Sequence, residues 1–165
     1  MMTITCGIDP GLTGAIGILE NGQFQSVHDM PVMNKGNGKV KWEVDVTALV
    51  SLLRQKTRKD GEPEDFVSCV IERVHAHPQQ GVSSVFSLGD SFGSARACVA
   101  SVSKIELRYV TPQVWKKYFG LTADKEQARA LALTMFPDAP INLKKHSDRS
   151  EALLMSRWLW ETEYQ

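Results

Sequence analysis

No stretch of the 165 residues stays apolar over the ~18–20 positions that a membrane-spanning helix requires. The first residues hold no basic segment followed by an apolar block and a small-residue cleavage site, so a secretory leader is not expected and a cytoplasmic location is. Cysteine is scarce: Cys6, Cys69 and Cys98 are scattered, with no C-x-x-C pair, which supports neither a disulfide framework nor a zinc site. Two of them fall in apolar runs that read as buried strands, so reduced core thiols are expected. Internal repeats and low-complexity tracts are absent, and no linker divides the chain, so one domain over 1–165 is expected. Net charge is also missing, with 19 basic and 19 acidic residues. That balance argues against a nucleic-acid partner only until the charges are mapped. Residues 91–149 hold ten Lys/Arg against five Asp/Glu, a local +5, whereas the first 90 residues come to −3 and the last 16 to −2. Local basic surface, more than the total, decides how a phosphate backbone is received.

What remains is an ordinary globular composition, 42% hydrophobic and 23% charged. Residues 3–9, TITCGID, alternate: Ile4, Cys6 and Ile8 share one face, and Thr5, Gly7 and Asp9 the other. Residues 13–19 read as a second strand. Asn21-Gly22 is a two-residue hairpin signal, and QFQSVHDM pairs back as a third strand. NKGNGKVK, 34–41, reads as a mobile loop. Asp45 is placed to cap a helix with Val46, Leu49, Val50 and Leu53 on one face. RKDGEPED is a connector, and FVSCVIE, 66–72, has the unbroken apolar run of a buried parallel strand. A loop leads to a helix over 82–102, in which Gly89, Gly93 and Ala97 form a small-residue face. This face suits either a dimer interface or close packing on the protein's own sheet, with Phe86 and Phe92 as core or dimer contacts. IELRYV is another strand. A helix follows from Pro112 to a stop at Gly120, then an amphipathic helix through Ala128, Leu131, Ala132 and Met135, and a last helix from 147–148 to about 163. The order βββ-α-β-α-β-α-α-α predicts an α/β fold with a mixed five-stranded sheet, a three-strand antiparallel meander plus two parallel strands, and helices on both faces.

Asp9 and Glu72 end two predicted central strands, where sites in α/β sheets gather. Asp148 and Glu151 lie three apart at the start of the last helix and so share a face. If that helix crosses the sheet near Asp9 and Glu72, four carboxylates converge, an arrangement that requires cations to neutralise it. Oxygen-only ligands suit Mg²⁺ or Mn²⁺ rather than zinc. Two such ions ~3.5–4 Å apart would activate a water and stabilise the leaving oxygen of a phosphodiester. Each residue also has a plainer role: Asp9 as a turn residue, Glu72 as a polar strand end, Asp148-x-x-Glu151 as a capping box.

With these residues in view, the chain resembles the RuvC-like Holliday-junction resolvases of the ribonuclease H-like superfamily. The resemblance runs through GIDPGLTG, VIE, SVFSLGDSFGSA, YVTPQVWKKYFGLTADKEQARALA and HSDRSEALLMSRW, and the compact size suggests a phage or prophage member acting in a bacterial host cell. It implies that Asp9, Glu72, Asp148 and Glu151 are catalytic metal ligands for Mg²⁺, with Mn²⁺ able to substitute. Glu151 stands where the family more often has Asp, one methylene shorter. It further implies that Lys116 or Lys117, and Lys125, contact junction phosphates, and that a symmetric homodimer nicks two opposed strands. The family's stacking aromatic, three positions after the strand-four glutamate, is replaced here by His75, whose ring can still stack on a base. His75 and His77 lack a third ligand for zinc. The implied activity is metal-dependent cleavage of four-way or other branched DNA. A branched-DNA-binding protein that has lost its chemistry is a second reading. A third is an ATP phosphotransferase of the actin/Hsp70 kind, which GIDPGLTG also resembles but which needs two such lobes.

Overall fold

The computed structural model describes residues 2–59, 62–63 and 66–165. Strands β1 (Thr3–Asp9), β2 (Ala15–Glu20) and β3 (Gln23–Asp29) form the expected meander. The turn between β2 and β3 puts both Asn21 (φ 48°) and Gly22 (φ 74°) in the left-handed region, as a two-residue hairpin loop demands. A short hairpin of β4 (Val32–Asn34) and β5 (Trp42–Val44) comes next, followed by α1 (Val46–Lys56) and a two-residue ladder of β6 (Arg58–Lys59) with β7 (Glu62–Pro63). The chain continues through β8 (Phe66–Glu72), α2 (Val82–Ser101), β9 (Ile105–Val110), α3 (Pro112–Tyr118), α4 (Lys125–Met135), a 3₁₀ turn at Lys144–His146 and α5 (Ser147–Glu163). Among the described residues no helix is long and apolar enough to cross a membrane.

The main sheet has the order β3-β2-β1-β8-β9. β1 pairs antiparallel with β2 and parallel with β8, and β9 extends the parallel half. The mixed five-stranded sheet read from the sequence is therefore the one observed. The two short ladders were not anticipated, because three-residue strands are too brief to show a period. The loop read over 34–41 is the tip of the β4–β5 hairpin. The connector read over 58–65 contains the β6–β7 ladder, and its remaining positions lie outside the described residues.

Two cores sandwich the sheet. On one face Ile4, Cys6 and Ile8 of β1 join Ile16, Ile18, Cys69 and Ile71 against Leu49 and Leu53 of α1 and Ala95 and Val99 of α2. Asp45 caps α1 by accepting from the Ala48 N–H at 2.9 Å. The three thiols are free and buried, as expected. On the opposite face Val70, Trp115, Ala128, Ala132, Leu153, Leu154 and Met155 pack α3, α4 and α5 together. α5 is wrapped on nearly every side: all residues from Ser150 to Ser156 are buried.

Glycines set how close α5 lies. Gly7 and Gly17 are paired across β1 and β2. A Cβ on Gly7 would stand 2.1 Å from the Ala152 carbonyl oxygen, and one on Gly17 would stand 2.6 Å from the Leu153 nitrogen. The helix backbone thus rests directly on the strand backbones, and Thr5 and Ser156 join through a buried 3.0 Å hydrogen bond. Gly89 and Gly93 of α2 behave differently, since a Cβ at either would meet nothing within 4 Å. Their face does not pack on the protein's own sheet. With Val50 and Arg54 of α1 it lines an open groove of about 820 Å³. Phe92 packs against the core beside Tyr109, ring centroids 6.1 Å apart, but Phe86 does not: it projects into solvent.

Candidate active site

Parallel pairing puts Ile8 opposite Ile71, so the next residues, Asp9 and Glu72, end adjacent central strands side by side. Asp9 shares its face with Thr5 and Gly7, which is the face α5 covers. The turn after it is closed by the Gly14 N–H donating to the Gly11 carbonyl at 2.8 Å. Gly14 is obligatory there, because a Cβ would fall 2.0 Å from the Asp9 carbonyl oxygen.

α5 enters over this end of the sheet. Its N-cap position is His146, with no side-chain capping bond, so Asp148-x-x-Glu151 does not form the capping box its spacing allows. Asp148 sits in the first helical turn and Glu151 one turn further in, only 5% exposed. One carboxylate oxygen from each of Asp9, Asp148 and Glu151 lies within 4.8 Å of the other two. Glu72 stands beside this trio rather than in it. Its Oε2 accepts a 2.7 Å hydrogen bond from the indole Nε1–H of Trp115, a fully buried residue of α3. Three of the four expected carboxylates thus meet within this distance, and Glu72, near enough for its charge to raise the Asp9 carboxyl, adjoins them.

The electrostatics reflect the crowding. Burial first, then the charges of Asp148, Glu72 and Glu151, push the Asp9 carboxyl from 3.8 up to about 7, against the opposing hydrogen bond from the Gly11 backbone. Burial also raises Glu72; the Trp115 hydrogen bond works against it, and Glu151 adds to it. Two lysines supply positive charge. Lys125 Nζ lies 2.7 Å from Asp148 Oδ1 and 3.9 Å from Glu151 Oε2. Burial alone would lower the Lys125 ammonium, but its bond to Asp148 and the surrounding carboxylates hold it above its usual value. Lys116 Nζ lies 3.0 Å from Glu151 Oε1, an ion-pair distance without hydrogen-bonding alignment, so among the described residues this buried oxygen has no hydrogen-bond donor. An all-oxygen donor set with such an oxygen fits a hard divalent cation.

The remaining predicted residues are spread around this centre. His75 is exposed in the loop after β8 and lines, with Glu72 and Gln113, a cavity of about 210 Å³. Lys117 is exposed and borders a hollow with Lys116 and Thr122. Three contributors were not singled out from the sequence. Trp115 orients Glu72, the glycine pair lowers α5 onto the sheet, and Arg149 clamps the start of α5. Arg149 donates from Nε and Nη2 to the two Asp29 oxygens at 2.7 and 2.8 Å, and from Nη1 to the Pro140 carbonyl at 3.0 Å. A tryptophan before the paired lysines and two glycines in strands are visible in sequence, but nothing in their spacing says what they face.

No family model matches this chain, and no curated protein does. Solved structures do. Thermus thermophilus RuvC in complex with a Holliday junction substrate superposes with a TM-score of 0.64 at 15% identity, covering 98% of this chain and 97% of that one. A second Thermus thermophilus RuvC structure gives 0.56 at 16% identity, covering 97% of each chain. At these identities the likeness is one of architecture: the five-stranded mixed sheet with its helices on both faces is the ribonuclease H-like fold of RuvC.

Proposed function

We propose that this protein is a divalent-metal-dependent endonuclease that cleaves branched DNA, four-way junctions foremost, as a single ribonuclease H-like domain. The observation that carries the reading is the convergence of Asp9, Asp148 and Glu151 at the end of the central strand, within a fold whose solved neighbour is bound to a Holliday junction. Asp9, Glu72, Asp148 and Glu151 would hold two Mg²⁺ ions, or Mn²⁺ in their place. Bound there, the ions would supply a hydroxide-like water and charge stabilisation at the leaving oxygen.

The chain's own groups prepare this chemistry. Burial and the neighbouring carboxylates raise the Asp9 carboxyl to about 7, so holding a cation there would require its ionised form and would release protons. Trp115 keeps Glu72 at the rim in a defined orientation. Lys116 and Lys125 neutralise the carboxylates of the metal-free site. With that charge taken over by cations, the two ammonium groups would be available to a backbone phosphate, and Lys117 and His75 would contact the strand beyond. A two-fold homodimer suits a substrate with two equivalent strands to cut. The open Gly89/Gly93 face of α2 is the surface we assign to it.

The test incubates purified protein with a four-way junction, a three-way junction and linear duplex, each with Mg²⁺ or EDTA. Metal-dependent paired nicking of the four-way junction is expected, and wild-type nicking by Asp9→Asn would refute the metal assignment. Binding without cleavage in any metal would instead identify a junction-binding protein.

A further inference from the structure

The first two turns of α2 carry two large apolar side chains that the fold leaves in solvent: Val82 is 87% exposed and Phe86 70%. They are four residues apart and so lie on one helical face. Together they form one wall of a hollow of about 330 Å³, whose other wall is the tip of the β4–β5 hairpin with Lys35, Lys39 and Val40. Among the described residues no acidic side chain lines it. An exposed aromatic ring in a hollow that two lysines also line complements a nucleotide, with a flat apolar face for a base and positive charge for its phosphate. It suits an apolar protein surface less well, because docking would strip water from both lysines.

The hollow lies at the acidic end of the sheet. β8 ends at Glu72, and after a nine-residue loop the chain enters α2 at Val82. α2 then runs back along the sheet, since β9 restarts at Ile105 opposite Val67 near the start of β8. Leu88, two residues beyond Phe86, lines the same cavity as Glu72 and His75.

We propose that Phe86 and Val82, flanked by Lys35 and Lys39, form a second DNA-binding subsite, separate from the carboxylates. It takes an unstacked base of the branched substrate against the phenyl ring and the adjoining phosphate against the lysines. This rests on the branched-DNA reading above. The subsite does not depend on metal, so it is tested in EDTA, where no cleavage occurs. The probe is a four-way junction carrying 2-aminopurine at the branch point, with a linear duplex as reference. Wild-type protein binds the junction preferentially and changes the 2-aminopurine fluorescence. Phe86→Ala weakens junction binding about tenfold, the size expected for one lost base stack, and abolishes the fluorescence change. It leaves duplex binding untouched, and Phe86→Trp restores both junction signals. Replacing Lys35 and Lys39 by Ala reduces the salt dependence of binding by roughly two counterions. Wild-type affinity and fluorescence in Phe86→Ala overturn the subsite while leaving the junction reading intact. Absence of any junction preference in the wild type overturns both. A change of oligomeric state in Phe86→Ala by gel filtration, with affinity falling only as the oligomer dissociates, overturns it in favour of a contact between copies. Should Phe86→Ala melt early, Phe86→Trp and the lysine pair decide: no rescue and an unchanged salt slope overturn the proposal.

Discussion

The two faces of the sheet are built differently. Toward α1 and α2, the strands present Ile4, Ile8, Ile16, Ile18 and Ile71, and branched side chains hold the helices off the sheet in an ordinary apolar core. Toward α5, the same strands present Thr5, Gly7, Asp9 and Gly17, and the helix backbone comes down onto the strand backbone. The first face provides stability through buried area. The second gives up side-chain packing at its centre, and in exchange holds α5 at a separation fixed by backbone contact. That separation brings Asp148 and Glu151 within reach of Asp9. Backbone resting on backbone leaves fewer rotatable bonds between strand and helix than an interlayer of long side chains would.

The contrast is broken most severely by giving the second face the side chains of the first. Gly7→Val drives a branched side chain into the Ala152 carbonyl and should prevent stable folding or abolish cleavage, read by circular-dichroism melts and a junction-nicking assay. Ile8→Val on the opposite face should cost only about 1 kcal/mol and keep activity. Equal effects at the two neighbouring positions would mean that the glycine bed is not what sets the site.

Asp9→Asn should bring cleavage down to background while strengthening the metal-free fold. The folded carboxyl titrates near 7 against 3.8, so the folded state holds its proton longer. The stability this contributes is complete below pH 4 and is lost as pH rises through about 7. The metal-free wild type should therefore lose stability between roughly pH 4 and 7, by at most a few kcal/mol, and Asn should flatten that slope. Thermal melts at pH 5 and pH 8 in EDTA, with Mn²⁺ added back to the wild type, measure both effects.

Trp115→Phe removes the indole donor to Glu72 and, with it, the five-membered ring of a fully buried side chain. A fall of about 10- to 100-fold in cleavage is expected, as for loss of a group that orients a ligand, with a lower melting temperature from the cavity, so rates are compared well below the transition. An unchanged rate would show that the hydrogen bond is incidental. The smallest effect should come from Arg149→Ala, which releases the start of α5 from Asp29. We expect about 1 kcal/mol in urea denaturation, more than an ordinary exposed pair because both ends are bidentate.

Much of this architecture was readable before any coordinates. Alternation over 3–9, the Asn21-Gly22 turn, the apolar run ending at Glu72 and the caps at Asp45 and Gly120 are local signals, and local sterics and hydrogen bonding realise them directly. The face that Asp9 shares with Gly7 and Thr5 follows from the period of two. What misled was also local: Asp148-x-x-Glu151 has the spacing of a capping box, but the preceding 3₁₀ turn shifts the helix start so that neither acid caps it. Phe86 reads as a core or dimer contact by hydrophobicity, and of the two the fold excludes the core, since the ring lies exposed on the second turn of α2.

The sequence by itself determined the strand and helix order, the sheet's mixed character and the four acids at element ends, because each depends on neighbours a few residues away. Only the tertiary structure decided that Asp9, Asp148 and Glu151 meet and that Glu72 beside them accepts from Trp115. It also decided that Lys116 and Lys125 point into the acidic cluster and that α5 rests on glycine. Those outcomes join residues from strand one, strand eight and the last helix, and only the packing of the helices on the sheet sets the distances among them.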